Sequence, residues 1–262
     1  MHFSKVTFDY IGGNISELLE NNKTDKNSIA ILSPHAGYFF SGDVAALSFN
    51  SVIDKEYENI FILSTSHTNN FKGCCIPNDT KYETPFGDME IKGLLHDTDL
   101  IKYNNEFFNN DHTIEVLLPF IQNGIKYKNI IPIMIGDNNI DNLRNISMEL
   151  EKYFTDDNLF VISSDFSHYP TYEEAIVVDG ETKNLILKKN SNDFIDGIFK
   201  LSSNKKHIVT RMCGWSAYLI LLFIIEKRDD IEIKFLRYKN SAELSTGRDR
   251  TVGYYSISFV KK

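Results

Sequence analysis

Six short apolar runs constrain the fold of this chain more than any other feature. Ile29–Leu32, Ile60–Leu63, Ile130–Ile135, Leu159–Ile162, Ile231–Arg237 and Val252–Val260 are β-branched, leucine-rich or aromatic and end at turn residues. Helical periods lie between most of them: Asp43–Ile53, Ile140–Phe154, and Tyr172 to Lys200 with a break near Asn190. Cys213–Lys227 is apolar almost all round, which predicts a central helix. From Thr113, residues Ile114, Leu117, Leu118 and Ile121 share one helical face, and Pro119 should interrupt that helix. Another helix is expected near Ile91. Near-continuous apolar strands alternating with helices predict a central, mainly parallel sheet covered on both faces. The last two runs have no helix between them, so they should pair antiparallel through "NSAELSTGRDRT". Nothing reads as an interdomain linker, and the expectation is one α/β domain over residues 1–262.

Histidines fall where such a sheet places its sites. Of seven, His35, His67 and His168 each follow a predicted strand within a few residues, and open α/β sheets bind ligands at the carboxyl ends of their strands. Each alone would more often be structural. Three together point to a convergent site. His35 and His67 carry imidazoles suited to zinc, copper or iron. Cys213 opens the apolar helix in "RMCGWSAY", where the helix dipole should favour the thiolate, the form that binds metal. Read alone, a lone cysteine there is more often a small buried residue.

Two further stretches add acid–base groups. "SSDFSH" holds Asp165 three residues before His168, a carboxylate able to orient an imidazole, ligate or share proton transfer; the plainer reading is a helix cap. "NDHTIEVLLPF" holds His112 and Glu115 at helical spacing, so Glu115 could fix the His112 ring. The plainer reading makes Asp111 or Thr113 a cap and His112 a first-turn polar residue. His2, His96 and His207 have no evident partner. No dinucleotide fingerprint, phosphate-binding loop, zincin helix, hydrolase elbow or paired-cysteine knuckle is present.

A formal net charge of −8 argues against nucleic acid and anionic membranes as partners. The longest apolar run, Ala217–Ile225, is too short to cross a bilayer. No secretory leader is apparent, and three cysteines make no disulfide framework, which suits a reducing cytoplasm.

In order, "SPHAGYFFSG", "ILSTSHT", "YETPFGD", "DHTIEVLLPF", "IIPIMIG", "SSDFSH", "RMCG" and "VGYYSISF" resemble the motifs of the Memo (mediator of cell motility) family, whose prokaryotic members are called AmmeMemoRadiSam system protein B. The resemblance runs from about Ile29 to the C-terminus. It implies a fold similar to that of class III extradiol ring-cleavage dioxygenases. It also implies metal ligands at His35, His67 and Cys213, with Asp165 and His168 in the same pocket. Cys213 would stand where those dioxygenases place a carboxylate, and His168 where they place an acid–base histidine. The expected cofactor is iron (Fe2+) or copper rather than zinc, and the expected chemistry is redox, on a small molecule. The family's animal members bind phosphorylated peptides. Against the animal pattern, Thr68 replaces a second histidine, Trp215-Ser216 replaces Arg-His, and "FDYIGGN" matches the family's start weakly. Tyr82, Thr84 and Pro85 of "YETPFGD" are candidate pocket lining, with an ordinary turn as the plainer reading. Trp215 is a candidate for the same pocket or for the core.

Overall fold

In a computed structural model, residues 1, 14–21, 28–200, 207–244 and 247–262 are described. "FDYIGGN" up to Gly13, and His2, lie outside them. All six apolar runs are strands. In chain order the strands are β1 (Ser28–Ser33), β2 (Glu56–Thr65), β3 (Cys74–Ile76), β4 (Lys81–Thr84), β5 (Gly87–Glu90), β6 (Ile101–Tyr103), β7 (Lys126–Ile135), β8 (Asn158–Ser163), β9 (Ile231–Asn240) and β10 (Gly253–Lys261). The helices are α1 (Ile15–Asn21), α2 (Tyr38–Asn50), α3 (His112–Glu115), α4 (Leu118–Gly124), α5 (Ile140–Glu151), α6 (Tyr172–Leu187), α7 (Ser191–Ile198) and α8 (Trp215–Ile225).

One eight-stranded mixed sheet runs β6-β3-β7-β2-β8-β1-β10-β9. Its centre, β7-β2-β8-β1, is parallel, and β9 and β10 form the expected antiparallel pair. Every residue of β1 and of β8 is buried, because helices cover both faces. Alternation along the strands divides the core in two. Leu32, Leu63, Ile133 and Ile162 face α5 and α8. Ile31, Ile62, Met134 and Val161 face α2 and α4. Ten of the eleven residues of α8 are buried; the remaining one, Phe223, lies under the Arg144 guanidinium at 4.0 Å.

Two expectations change. The helix expected from Thr113 is two short helices: Asp111 caps α3 and Pro119 lies in the first turn of α4, where its missing N–H has no intrahelical partner to lose. No helix forms near Ile91. Instead β4 and β5 make a hairpin, and Ile91 bridges Ile130. No helix among the described residues is long and apolar enough to cross a membrane.

Candidate metal centre

Three adjacent central strands end together. Ser33 of β1 stands opposite Ser163 of β8, which stands opposite Ser64 of β2. The chain leaving β1 carries His35, that leaving β2 carries His67, and that leaving β8 carries Asp165 and His168. The start of α8 reaches the same place. Gly214 donates its N–H to Ser164 Oγ at 2.9 Å, and Cys213 donates its own to the Asp165 carbonyl at 3.2 Å. A side chain at Gly214 would collide with the Ser163 carbonyl and the Ser164 side chain, so glycine permits this close approach.

One donor atom each from His35, His67 and Cys213 lies within 4.8 Å of the others. Cys213 Sγ is 3.3 Å from His35 Nε2. Zinc-type tetrahedral bonds of roughly 2.0–2.1 Å to nitrogen and 2.3 Å to sulfur would separate two such donors by about 3.5 Å, so the His35–Cys213 pair is spaced for a shared ion and the His67 ring would close on it from within 4.8 Å. The tautomer fits as well. Ser163 Oγ donates to the Thr113 carbonyl at 2.5 Å and therefore accepts from His35 Nδ1 at 2.8 Å, which leaves the Nε2 lone pair facing Cys213.

Burial, followed by repulsion from His67, His112 and His168, holds the His35 imidazole well below its usual range. Burial also lowers His67, His112 and His168, the last to about 4. All four rings are therefore neutral near pH 7, the ligating form. Burial pushes the Asp165 carboxyl up to about 7, against backbone donors from His35 and Ala36. The thiol differs from expectation: Cys213 does not open α8 but precedes its N-cap, Gly214. Burial, then the Asp165 carboxylate, pushes Cys213 up, against hydrogen bonds from the Asp165 backbone, the Ser164 hydroxyl and the Gly214 backbone. A bound cation would reverse that balance and deprotonate the sulfur, which the Asp165 N–H already approaches at 3.2 Å.

His168 contributes differently. Its backbone bridges Thr210 and Val252, while its Nε2 is buried with no hydrogen-bond partner. An orphaned buried imidazole nitrogen is costly unless something occupies the space before it. His112 joins the cluster too, its ring centroid 5.8 Å from that of His35 and 5.9 Å from that of His67. Asp111 does more than cap: its Oδ1 accepts from Thr113 and its Oδ2 accepts the His67 backbone N–H at 2.9 Å, so one carboxylate ties α3 to the His67 loop.

Other candidates sit elsewhere. Glu115 is buried and receives the hydroxyl of buried Tyr82, which anchors the β4–β5 hairpin to α3. Thr84 bonds Gln122 and Pro85 is exposed at the hairpin turn, so neither joins the cleft beside the cluster: the hairpin register aims Thr84 at α4. Trp215 serves both roles foreseen for it, packing in the core and lining a cleft of about 370 Å3 that also meets His67 and Cys213. His207, for which no partner was evident, meets Glu174 at 2.7 Å. Sequence reasoning missed Ser163 and Asp111 as supports of the ligands.

Fold and site thus define an α/β protein with two imidazoles and a thiol gathered at the carboxyl edge of its sheet. The sequence profile of the Memo-like protein family matches residues 11–258, and the chain belongs to the Memo family. It is 31% identical over 258 residues to Protein memo-1 homolog of Caenorhabditis elegans, covering 87% of this chain and 71% of that one. It is 30% identical to a MEMO1 family protein of Desulfurococcus amylolyticus, covering 89% and 83%. Among solved structures, an uncharacterized protein of Escherichia coli K12 aligns with a TM-score of 0.50 at 11% identity, over 87% of this chain and 98% of that one, a likeness of fold alone.

Proposed function

We propose that His35, His67 and Cys213 hold one transition-metal ion, iron or copper, and that the centre carries out redox chemistry of a dioxygenase-like kind on a small molecule in the cytoplasm. The observation that carries this reading is the donor set itself, a thiol sulfur 3.3 Å from an imidazole nitrogen whose tautomer is fixed by Ser163. Bound there, the ion would supply one-electron exchange and an open position for oxygen or substrate. His168 accepts a proton at its unpartnered Nε2. Asp165 holds the His35 loop through the backbone and keeps its other oxygen 3.9 Å from His35 Nε2. His112 stands beside both imidazoles on the α3 side, where it is a further acid–base group.

The test is oxygen uptake by anaerobically Fe(II)-loaded protein given a panel of catechols. Uptake above that of free Fe(II), reduced about 100-fold or more in His168→Ala, supports the reading. Uptake no greater than free metal in both proteins refutes the ring-cleavage version. Cys213 favours one alternative, a non-catalytic Cu(I) carrier, because thiolate is a soft ligand. That alternative predicts tight Cu(I) binding, lost in Cys213→Ser, without turnover. A peptide-binding module would instead bind its ligand with the metal removed.

A further inference from the structure

The cleft that meets His67 and Cys213 sets an apolar side, Ile198, Phe199, Val209 and Trp215, against polar Thr210 and Arg211. Its rim carries Phe199 and Val209, which are 59% and 70% exposed. Behind them stand Ile198 and Trp215, and the Phe199 and Trp215 rings meet edge to face at 4.9 Å. The polar groups of the wall are already engaged. Thr210 Oγ1 donates to the Met212 carbonyl at 3.0 Å and accepts the Met212 N–H at 3.1 Å. The Arg211 guanidinium is buried, donates to the Lys200 carbonyl, and pairs with Glu181 at 2.7 Å. Among the described residues lining the cleft, Arg211 is the one cation, and its charge is met by that carboxylate. A volume of about 370 Å3 suits a small molecule.

We propose that this cleft takes an uncharged small molecule with an apolar face the size of one ring, held between Phe199, Val209 and Trp215 and presented to the metal-binding cluster. The assignment rests on the reading of that cluster as a centre acting on a small substrate. Among the described residues of the cleft, a phosphorylated or otherwise anionic ligand would meet an apolar side and an already paired arginine, in a chain of net charge −8.

Trp215 is the only tryptophan of the chain, so intrinsic emission excited at its red edge reports on the cleft itself. Metal-free protein is titrated with benzyl alcohol and, separately, with benzyl phosphate, which share an apolar body and differ in charge. The proposal expects a saturable change in Trp215 emission with the alcohol and binding of the phosphate at least about ten-fold weaker. Phe199→Ser and Val209→Ser, both at exposed positions, should each weaken alcohol binding about five-fold. No saturable change with the alcohol, equal or tighter binding of the phosphate, or unchanged alcohol binding in both variants overturns it. Metal binding by the same preparations is measured in parallel. Alcohol binding without metal binding leaves the cleft standing and removes the metal reading, whereas metal binding without an alcohol response removes the cleft assignment alone.

Discussion

Ser163 Oγ lies 2.8 Å from His35 Nδ1 and donates its own hydrogen bond to the Thr113 carbonyl. The hydroxyl can therefore only accept from the ring, and His35 is held with Nε2 bare. Second-layer partners of this kind typically contribute 10- to 100-fold to metal affinity. Ser163→Ala should weaken metal binding about 10-fold or more in chelator competition while the fold persists. Unchanged affinity would show that the ring orientation is set elsewhere.

Glu115 is buried beneath the β4–β5 hairpin and accepts the Tyr82 hydroxyl. Tyr82→Phe removes that donor from a buried carboxylate. The expected cost is about 1–3 kcal/mol in urea unfolding, with metal affinity close to wild type. A loss of metal binding at unchanged stability would instead tie Tyr82 to the centre.

Asp179, on α6, accepts the Ser167 N–H at 2.9 Å and the Tyr238 hydroxyl at 2.8 Å, and so ties the His168 loop to β9. Burial pushes its carboxyl up to about 6, against those hydrogen bonds and the nearby Arg211 charge; the Tyr255 hydroxyl also feels its charge. The folded state therefore binds the proton more tightly than the unfolded chain, whose aspartates titrate near pH 4. Stability contributed by this group is present below about pH 4 and is lost as pH rises through about 6. The difference in unfolding free energy between wild type and Asp179→Asn should shift over that interval by about 3 kcal/mol, against the wild type as pH rises. A difference independent of pH would mean that the carboxyl titrates normally.

Gly214→Ala should both destabilise the protein and weaken metal binding, since the added methyl would push Cys213 and the start of α8 away from Ser163. Thermal unfolding and metal competition measured together check this. A neutral substitution would show that α8 can shift without moving the thiol.

Much of this arrangement was legible in the sequence. The six strands are legible because each is a run of β-branched, leucine or aromatic residues that ends at turn residues, and the three strand-end histidines follow from them. Strands β3 and β6 are not, because three residues such as "CCI" and "IKY" carry no period. The hairpin over Lys81–Glu90 reads in the sequence as a pocket wall or a turn before a helix and not as two strands, since its outward face is polar and Tyr82 and Met89 are its only buried residues. The capping role of Asp111 was readable locally, but its bond to the His67 loop spans 44 residues and no local signal announces it. The Cys213 thiol was expected to ionise readily at a helix start. Burial beside Asp165 works the other way, and that neighbour appears only when β8 and α8 are brought together.

X-ray absorption at the edge of the metal carried by protein purified without chelator tests the central claim most directly. The account predicts a near-stoichiometric iron or copper ion with one sulfur at about 2.3 Å and imidazole nitrogens at about 2.0–2.1 Å, the sulfur signal vanishing in Cys213→Ser. A bound ion without sulfur in its shell, or wild-type protein that takes up neither metal when each is supplied, would contradict it.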